Sequence, residues 1–145
     1  MKNITRIFTA IVIGGLMFAA ASAQELKGEW KLVEAVSGGE KVVYNEEIRT
    51  TAVFGANNAL GGNSGCNRYS TTYKITGERI EFSPIISTKM ACPGERMKQE
   101  TLFFGIMEKV KNYKTQDGFL IFYDKSKKNV LKFAPVPGEK PPNKC

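Results

Sequence analysis

Histidine does not occur in this 145-residue chain. A Ser-His-Asp triad, a Cys-His nucleophile pair and any histidine-containing zinc site are therefore excluded, because each relies on an imidazole to move a proton or donate a lone pair. Cysteine is scarce. Cys66, Cys92 and Cys145 include no C-x-x-C pair of the kind that zinc or thioredoxin-like chemistry uses. A phosphate-cradling loop is missing as well: Gly61-Gly62-Asn63-Ser64-Gly65 leads into an expected strand rather than a helix, and no Lys-Ser or Lys-Thr follows it. The adjacent carboxylates Glu46 and Glu47 fall in a polar turn, where solvated charge is the ordinary state. Together these absences lead to the expectation of a non-enzymatic protein without metal or cofactor.

A long uncharged run occurs once, near the start. Lys2 and Arg6 precede a mostly apolar stretch over residues 7–20, which ends in Ala21-Ser22-Ala23. A positive start, an apolar middle and small residues before a cleavage point predict a signal peptide over residues 1–23, with the mature chain beginning at Gln24. Gly14-Gly15 interrupts the run and no stop-transfer cluster follows, which argues against a retained span. No cysteine stands at the cleavage point to accept a lipid, so no stable membrane anchor is expected. The expected location is periplasmic or secreted, where thiols are oxidised. The net charge of +7 includes Lys2 and Arg6. The densest remaining cluster, Lys125, Lys127 and Lys128, sits in an expected hairpin turn and is not interleaved with aromatics, so no nucleic-acid partner is expected.

After the signal the dominant pattern is alternation with one helical interruption, in a chain long enough for a single core. Trp30, Leu32 and Val36 share a face of a first strand that Glu34 interrupts, and Ser37-Gly38-Gly39-Glu40 turns out of it. Further extended runs are expected over residues 41–44 and 50–54, and the Gly- and Asn-rich residues 55–65 read as a bulge or close-packed turn region. Tyr69, Thr71, Tyr73 and Ile75 alternate with polar residues before Gly77-Glu78 reverses the chain into Ile80 and Phe82, the signature of a hairpin. Between residues 94 and 113 the period lengthens: Met97, Leu102, Ile106, Met107 and Val110 form the stripe of one amphipathic helix, with Lys98 and Gln99 outside it. Pro93 suits its first turn and Glu95 its positive dipole end. Residues 119–123 are apolar on both faces, which predicts a strand between the helix and another covered surface. Residues 130–134 complete the last strand. Pro135, Pro137, Pro141 and Pro142 then predict a flexible tail over 137–145.

Two cysteine-bearing segments flank the central hairpin: Gly65-Cys66-Asn67-Arg68-Tyr69, with Tyr73 following, and Ser87-Thr88-Lys89-Met90-Ala91-Cys92-Pro93. With Ile80-Glu81-Phe82 between them and Glu100 and Phe104 on the helix, they resemble the META domain family, to which HslJ-like heat-shock proteins belong. That resemblance covers most of the chain between Leu26 and Phe133 and is carried in the domain bounds 24–136. It implies an α+β fold that is mainly antiparallel β, a partly closed, barrel-like sheet packed on one helix, and a stress-related role in the bacterial cell envelope. Lipoproteins occur in that family, and the missing attachment cysteine departs from them.

The segments themselves admit two readings. In the architectural one, Gly65 permits a close approach, Asn67 bonds turn backbone through its amide, and Met90 fills core space, with Lys89 left unexplained. In the binding one, Asn67, Arg68, Tyr69, Tyr73, Thr88, Lys89 and Met90 line an open end of the sheet and accept an envelope protein, a peptide or an apolar ligand. Three cysteines allow three pairings. Cys145 follows the proline-rich tail, whereas Cys66 and Cys92 flank one compact hairpin, so the expected disulfide is Cys66 to Cys92. Two further readings stay open: a secreted inhibitor of a lytic enzyme inserting residues 55–63 into a cleft, and a thiol-dependent redox or sensing protein using Cys66 and Cys92.

Overall fold

A computed structural model describes residues 26–137. The expected signal peptide over 1–23, the start at Gln24, and the tail beyond Pro137 with Cys145 lie outside the described residues.

In chain order the elements are β1 (Gly28–Ser37), β2 (Glu40–Lys41), β3 (Thr51–Phe54), β4 (Ala59–Asn63), β5 (Arg68–Thr76), β6 (Arg79–Phe82), β7 (Ile86–Ser87), α1 (Gly94–Met107), β8 (Asn112–Gln116), β9 (Phe119–Tyr123) and β10 (Val130–Pro135). Every strand pairing is antiparallel, and the spatial order runs β10-β9-β8-β6-β5-β4-β3-β1, with β10 pairing back onto β1. The sheet expected to be partly closed is thus a closed eight-stranded barrel. Closure leaves no long free edge, which is the usual hazard of an isolated sheet. One seam is thin: β6 meets β8 through the Arg79–Asn112 pair, reinforced by the Ile80 N–H to the Lys111 carbonyl at 3.0 Å and the Tyr113 N–H to the Glu78 carbonyl at 2.9 Å.

The interior is filled by alternate residues of the strands. Leu60, Ile80, Leu120, Phe122, Leu131 and Phe133 are almost wholly buried, and Phe103, Ile106 and Met107 of α1 join them. Aromatic rings interlock edge to face, Phe54 on Tyr73 and Phe122 on Phe133 each at 5.5 Å between centroids, an arrangement that complements ring quadrupoles. The hairpin of β5 and β6 has the expected register, Ile75 opposite Ile80 and Tyr73 opposite Phe82.

Several expectations change. In β1 a bulge between Leu32 and Glu34 shifts the inward face, so Leu32 and Ala35 are buried and Val36 turns outward; a two-residue period cannot survive an inserted residue. Of the expected second run only Lys41 pairs as a strand, together with Glu40 from the expected turn, and Val43 is 98% exposed in the loop that follows. Residues 55–65 are not one turn region or a protruding loop. Asn57 and Asn58 make a tight reversal at φ 56°, and β4 then runs through Gly61 and Gly62. At Gly62, φ is +151° and an added Cβ would lie 2.2 Å from the Thr51 carbonyl oxygen, so the glycine is required by the backbone passing beside it. Along α1, Ile106 and Met107 are buried as the expected stripe requires, and Val110 just beyond it as well, but in the first turns Met97 is 37% exposed while Gln99 and Glu100 are buried. Pro135 ends β10 instead of starting the tail, with its position opposite Trp30 at the barrel's margin.

Candidate functional site

The Gly65-Cys66-Asn67 segment connects β4 to β5, and all three residues are buried. Asn67 is the hub. Its side-chain oxygen accepts hydrogen bonds from the Met90 N–H (2.7 Å) and the Thr88 hydroxyl (2.9 Å), and its amide nitrogen donates to Glu100 Oε1 (2.9 Å) and to the Met90 carbonyl (3.3 Å). A short polar side chain therefore holds the 88–90 segment through its backbone, the role that turn chemistry gives to asparagine.

Glu100 completes the cluster from α1. Its Oε2 accepts from the Asn67 N–H (2.7 Å) and from the Ser64 hydroxyl, which also lies 2.8 Å from the Asn67 carbonyl. Burial pushes this carboxyl up, yet the donors from Ser64, the Asn67 side chain and the Asn67 and Cys66 backbone outweigh it and hold the group below its ordinary value. A buried carboxylate without donors would be strongly destabilising; here the donors surround it. Gln99, the preceding residue, behaves similarly, donating to the Ile48 carbonyl and Thr50 Oγ1 at 3.0 Å each and accepting from the Asn45 N–H. Among the described residues no buried side-chain polar atom is left without a partner.

Cys66 and Cys92 are joined by a disulfide that ties the start of β5 to the segment entering α1. Cys66 is 4% exposed and Cys92 half-buried.

The seven residues of the candidate face divide into two groups. Asn67, Tyr69 and Tyr73 face the interior. The Tyr69 hydroxyl donates to the Thr51 carbonyl at 2.9 Å, and burial pushes it up; its ring meets Phe103 and Phe104. Tyr73 packs on Phe54. Arg68, Thr88, Lys89 and Met90 lie at the surface, with Met90 56% exposed. Met90 is therefore not the core filler that the architectural reading assigned it; its backbone, not its side chain, is what the cluster grips.

A concave surface lies elsewhere. Between the strap that links β6 to β7 and the C-terminal half of α1 is an open groove of about 540 Å³. Phe82, Ile85, Phe104, Met107 and Val110 supply its apolar lining, and Ser83, Ser87, Glu108 and Lys111 its polar one. It sits where the β6–β8 seam opens, because only Arg79 of β6 pairs across. None of the sequence candidates lines it. Its residues come from two stretches, 82–87 and 104–111, whose apolar members read in the sequence as core positions. Among the described residues no cluster of three or more His, Cys, Asp or Glu is placed to hold a metal, and no helix is long and apolar enough to cross a membrane.

Solved structures share the fold. The NMR structure of a protein from Burkholderia xenovorans superposes with a TM-score of 0.66 at 17% identity, covering 93% of this chain and 100% of that one. A crystal structure of a DUF4847 family protein from Bacteroides vulgatus superposes with a TM-score of 0.60 at 14% identity, covering 80% and 97% respectively. No curated protein sequence matches the chain. The family model of the META domain matches residues 23–136. That span takes in the whole barrel, the helix and both cysteine segments, and the chain belongs to the META domain family.

Proposed function

We propose that this protein is an exported, non-enzymatic binding module of the bacterial envelope, active there under stress, which takes a peptide or apolar ligand in the groove between the β6–β7 strap and α1. The observation that carries this reading is the division of labour between two sites. The polar residues best suited to chemistry, Ser64, Asn67 and Glu100, are buried and bonded to one another. The open groove mixes apolar lining from Phe82, Ile85 and Phe104 with polar lining from Ser83, Ser87, Glu108 and Lys111 in about equal measure, which suits a ligand that offers both apolar surface and polar groups, as a peptide does.

Native mass spectrometry of the protein purified from its own envelope tests the reading. The expected result is a retained peptide or apolar small molecule that is lost from an Ile85→Asp variant of unchanged fold. A ligand held equally well by that variant places binding elsewhere. A chemical turnover that disappears in Glu46→Gln or Glu47→Gln, with the fold intact, overturns the non-enzymatic assignment.

A further inference from the structure

Strands β6 and β7 are two parts of one run along β5. Tyr73 stands opposite Phe82 and Tyr69 opposite Ser87, so residues 82–87 follow β5 with one extra residue, a bulge at Pro84-Ile85. On either side of the bulge the run is bonded to β5. The Ser83 N–H donates to the Thr72 carbonyl at 2.9 Å, and the Thr88 N–H to the Arg68 carbonyl at 3.0 Å. In an antiparallel ladder such residues alternate with residues whose N–H and C=O point the other way. Phe82 and Ser87 are therefore turned away from β5, towards the groove that both of them line. On that side β8 reaches only Arg79, and the Ile80 N–H takes the Lys111 carbonyl. Beyond Ile80, no backbone group among the described residues bonds the main chain of Phe82 or Ser87. The closed barrel thus keeps a short open edge of roughly 17 Å, five steps of an extended chain.

The surroundings of that edge are uneven in charge. Residues 82–87 carry none. The facing bank presents Glu108, Lys109 and Lys111 to solvent, and Lys89 follows the strap, so three ammonium groups stand against one carboxylate. None of the four belongs to a salt bridge among the described residues. Apolar surface is also left over: Ile86, opposite Ser70 on the outer face of the ladder, is 72% exposed.

We propose that an extended acidic peptide adds to this edge as a further strand, an inference that rests on the groove as the binding site and names the form its ligand takes. The peptide main chain exchanges N–H···O=C bonds with Phe82 and Ser87. Its inward side chains meet Phe82, Ile85 and Phe104, an outward one covers Ile86, and its carboxylates meet Lys111 and Lys89. In strand addition of this kind the main-chain bonds supply affinity and alternate side chains supply specificity. Pro84 offers no donor at the bulge, so the bonds fall on either side of it. A bulged edge carrying proline is also a poor template for a second copy of the chain, which leaves the short edge to a flexible segment.

Selection from a random nine-residue peptide library on the protein purified from its own cells, followed by titration of synthetic copies of the selected sequences, tests this. Those sequences are expected to alternate apolar with polar residues and to carry Asp or Glu. N-methylation at one amide after another is expected to weaken binding about tenfold where the amide faces the edge and less than about twofold at the positions between. Ser87→Pro removes an edge donor that the fold does not use, and Lys111→Glu reverses the charge beside it. Each is expected to weaken binding about tenfold, with circular dichroism as a check on the fold. Selected peptides that bind Ile85→Asp as tightly as the natural chain defeat both the proposal and the groove as the binding site. Binding that is lost in Ile85→Asp but shows no alternation on N-methylation overturns strand addition and leaves the groove in place. A library that yields no peptide, or only peptides without carboxylates, also overturns the proposal; an apolar molecule retained by the natural chain and lost from Ile85→Asp then still upholds the groove.

Discussion

Replacing Glu100 by Gln changes little in size and removes one charge, so it isolates what the buried carboxylate contributes. Its two oxygens accept from the Asn67 N–H, the Asn67 side-chain amide, the Ser64 hydroxyl and the Cys66 backbone. A glutamine must put its NH₂ where one oxygen was, and either orientation sets that donor against another donor. Two effects oppose each other. The amide is easier to bury than a carboxylate, but each hydrogen bond to a charged group is worth about 1.5–3 kcal/mol, and a donor left unsatisfied costs about 1–3 kcal/mol more. The direction of the acid–base shift decides between them. Because Glu100 lies below its ordinary value despite burial, the fold favours the carboxylate over its neutral form. The expected loss is about 3 kcal/mol, a large share of the 5–15 kcal/mol typical of a folded domain.

Urea unfolding of the two proteins across pH measures it. A carboxyl depressed in the fold contributes stability that is complete above its unfolded value, 4.5, and is lost as pH falls through the lower folded value. The natural chain and Glu100→Gln should therefore differ by a constant amount near neutrality and converge in acid. Asp124, held down at about 2 against burial by its bonds to Ser126 and Asn129, also loses stability in acid, but it is common to both proteins and cancels in the difference. A difference below about 1 kcal/mol at neutral pH, or one that does not shrink on acidification, refutes the reasoning.

Four further substitutions follow from the same geometry. Cys66→Ser and Cys92→Ser should each cost about 3.5 kcal/mol in the loop-entropy account of a bridge with sequence separation 26, and the double variant no more than either, as equilibrium unfolding will show. Gly62→Ala forces a methyl against the Thr51 carbonyl and should lower stability by about 3 kcal/mol or prevent folding, read from the unfolding midpoint or the soluble yield. Tyr69→Phe removes the bond to the Thr51 carbonyl while keeping the ring contacts, and an unfolding curve should show a loss of about 1–2 kcal/mol.

The β5–β6 hairpin was legible because Tyr69, Thr71 and Tyr73 alternate with exposed residues and Gly77 marks the reversal. The position of α1 was legible as well, from the change of period after Pro93. The C-terminal half of its inward face, Ile106 and Met107, was legible too, but the N-terminal half was not, since pattern rules place polar residues outside, and Gln99 and Glu100 are inside only because partners on distant segments satisfy them. Strand β4 was hidden by Gly61 and Gly62, which have no side chains to alternate. Closure depends on the register of β10 against β1, a long-range pairing that leaves no mark in either strand. The sequence motifs were visible, and the structure divides their residues between core and surface. Asn67, Tyr69 and Tyr73 are distinctive because burial makes them so, whereas Phe82, Ile85 and Met107 of the groove read as ordinary apolar residues.

The buried cluster and the groove are nevertheless connected. One wall of the groove is the strap after β6, the other is the C-terminal half of α1, and between them the barrel seam is a single residue pair. Both walls are anchored at the same place. The strap continues into residues 88–92, which Asn67 and the disulfide fasten to the start of β5, and α1 is fastened there through Glu100. The strap is also held along β5 by the β7 pairing and by the bonds of Ser83 to Thr71 and Thr72, and the Cys66–Asn67–Glu100 junction is where strap and helix share one anchor. A change at that junction should then reach the groove without touching it. In Glu100→Gln at neutral pH, where most of the protein is still folded, amide exchange at Ile85, Phe104 and Lys111 is expected to accelerate more than at Phe122 or Leu131, because local opening of the walls precedes global unfolding. Uniform acceleration across all five positions would mean that the junction stabilises the barrel as a whole and does not govern the groove.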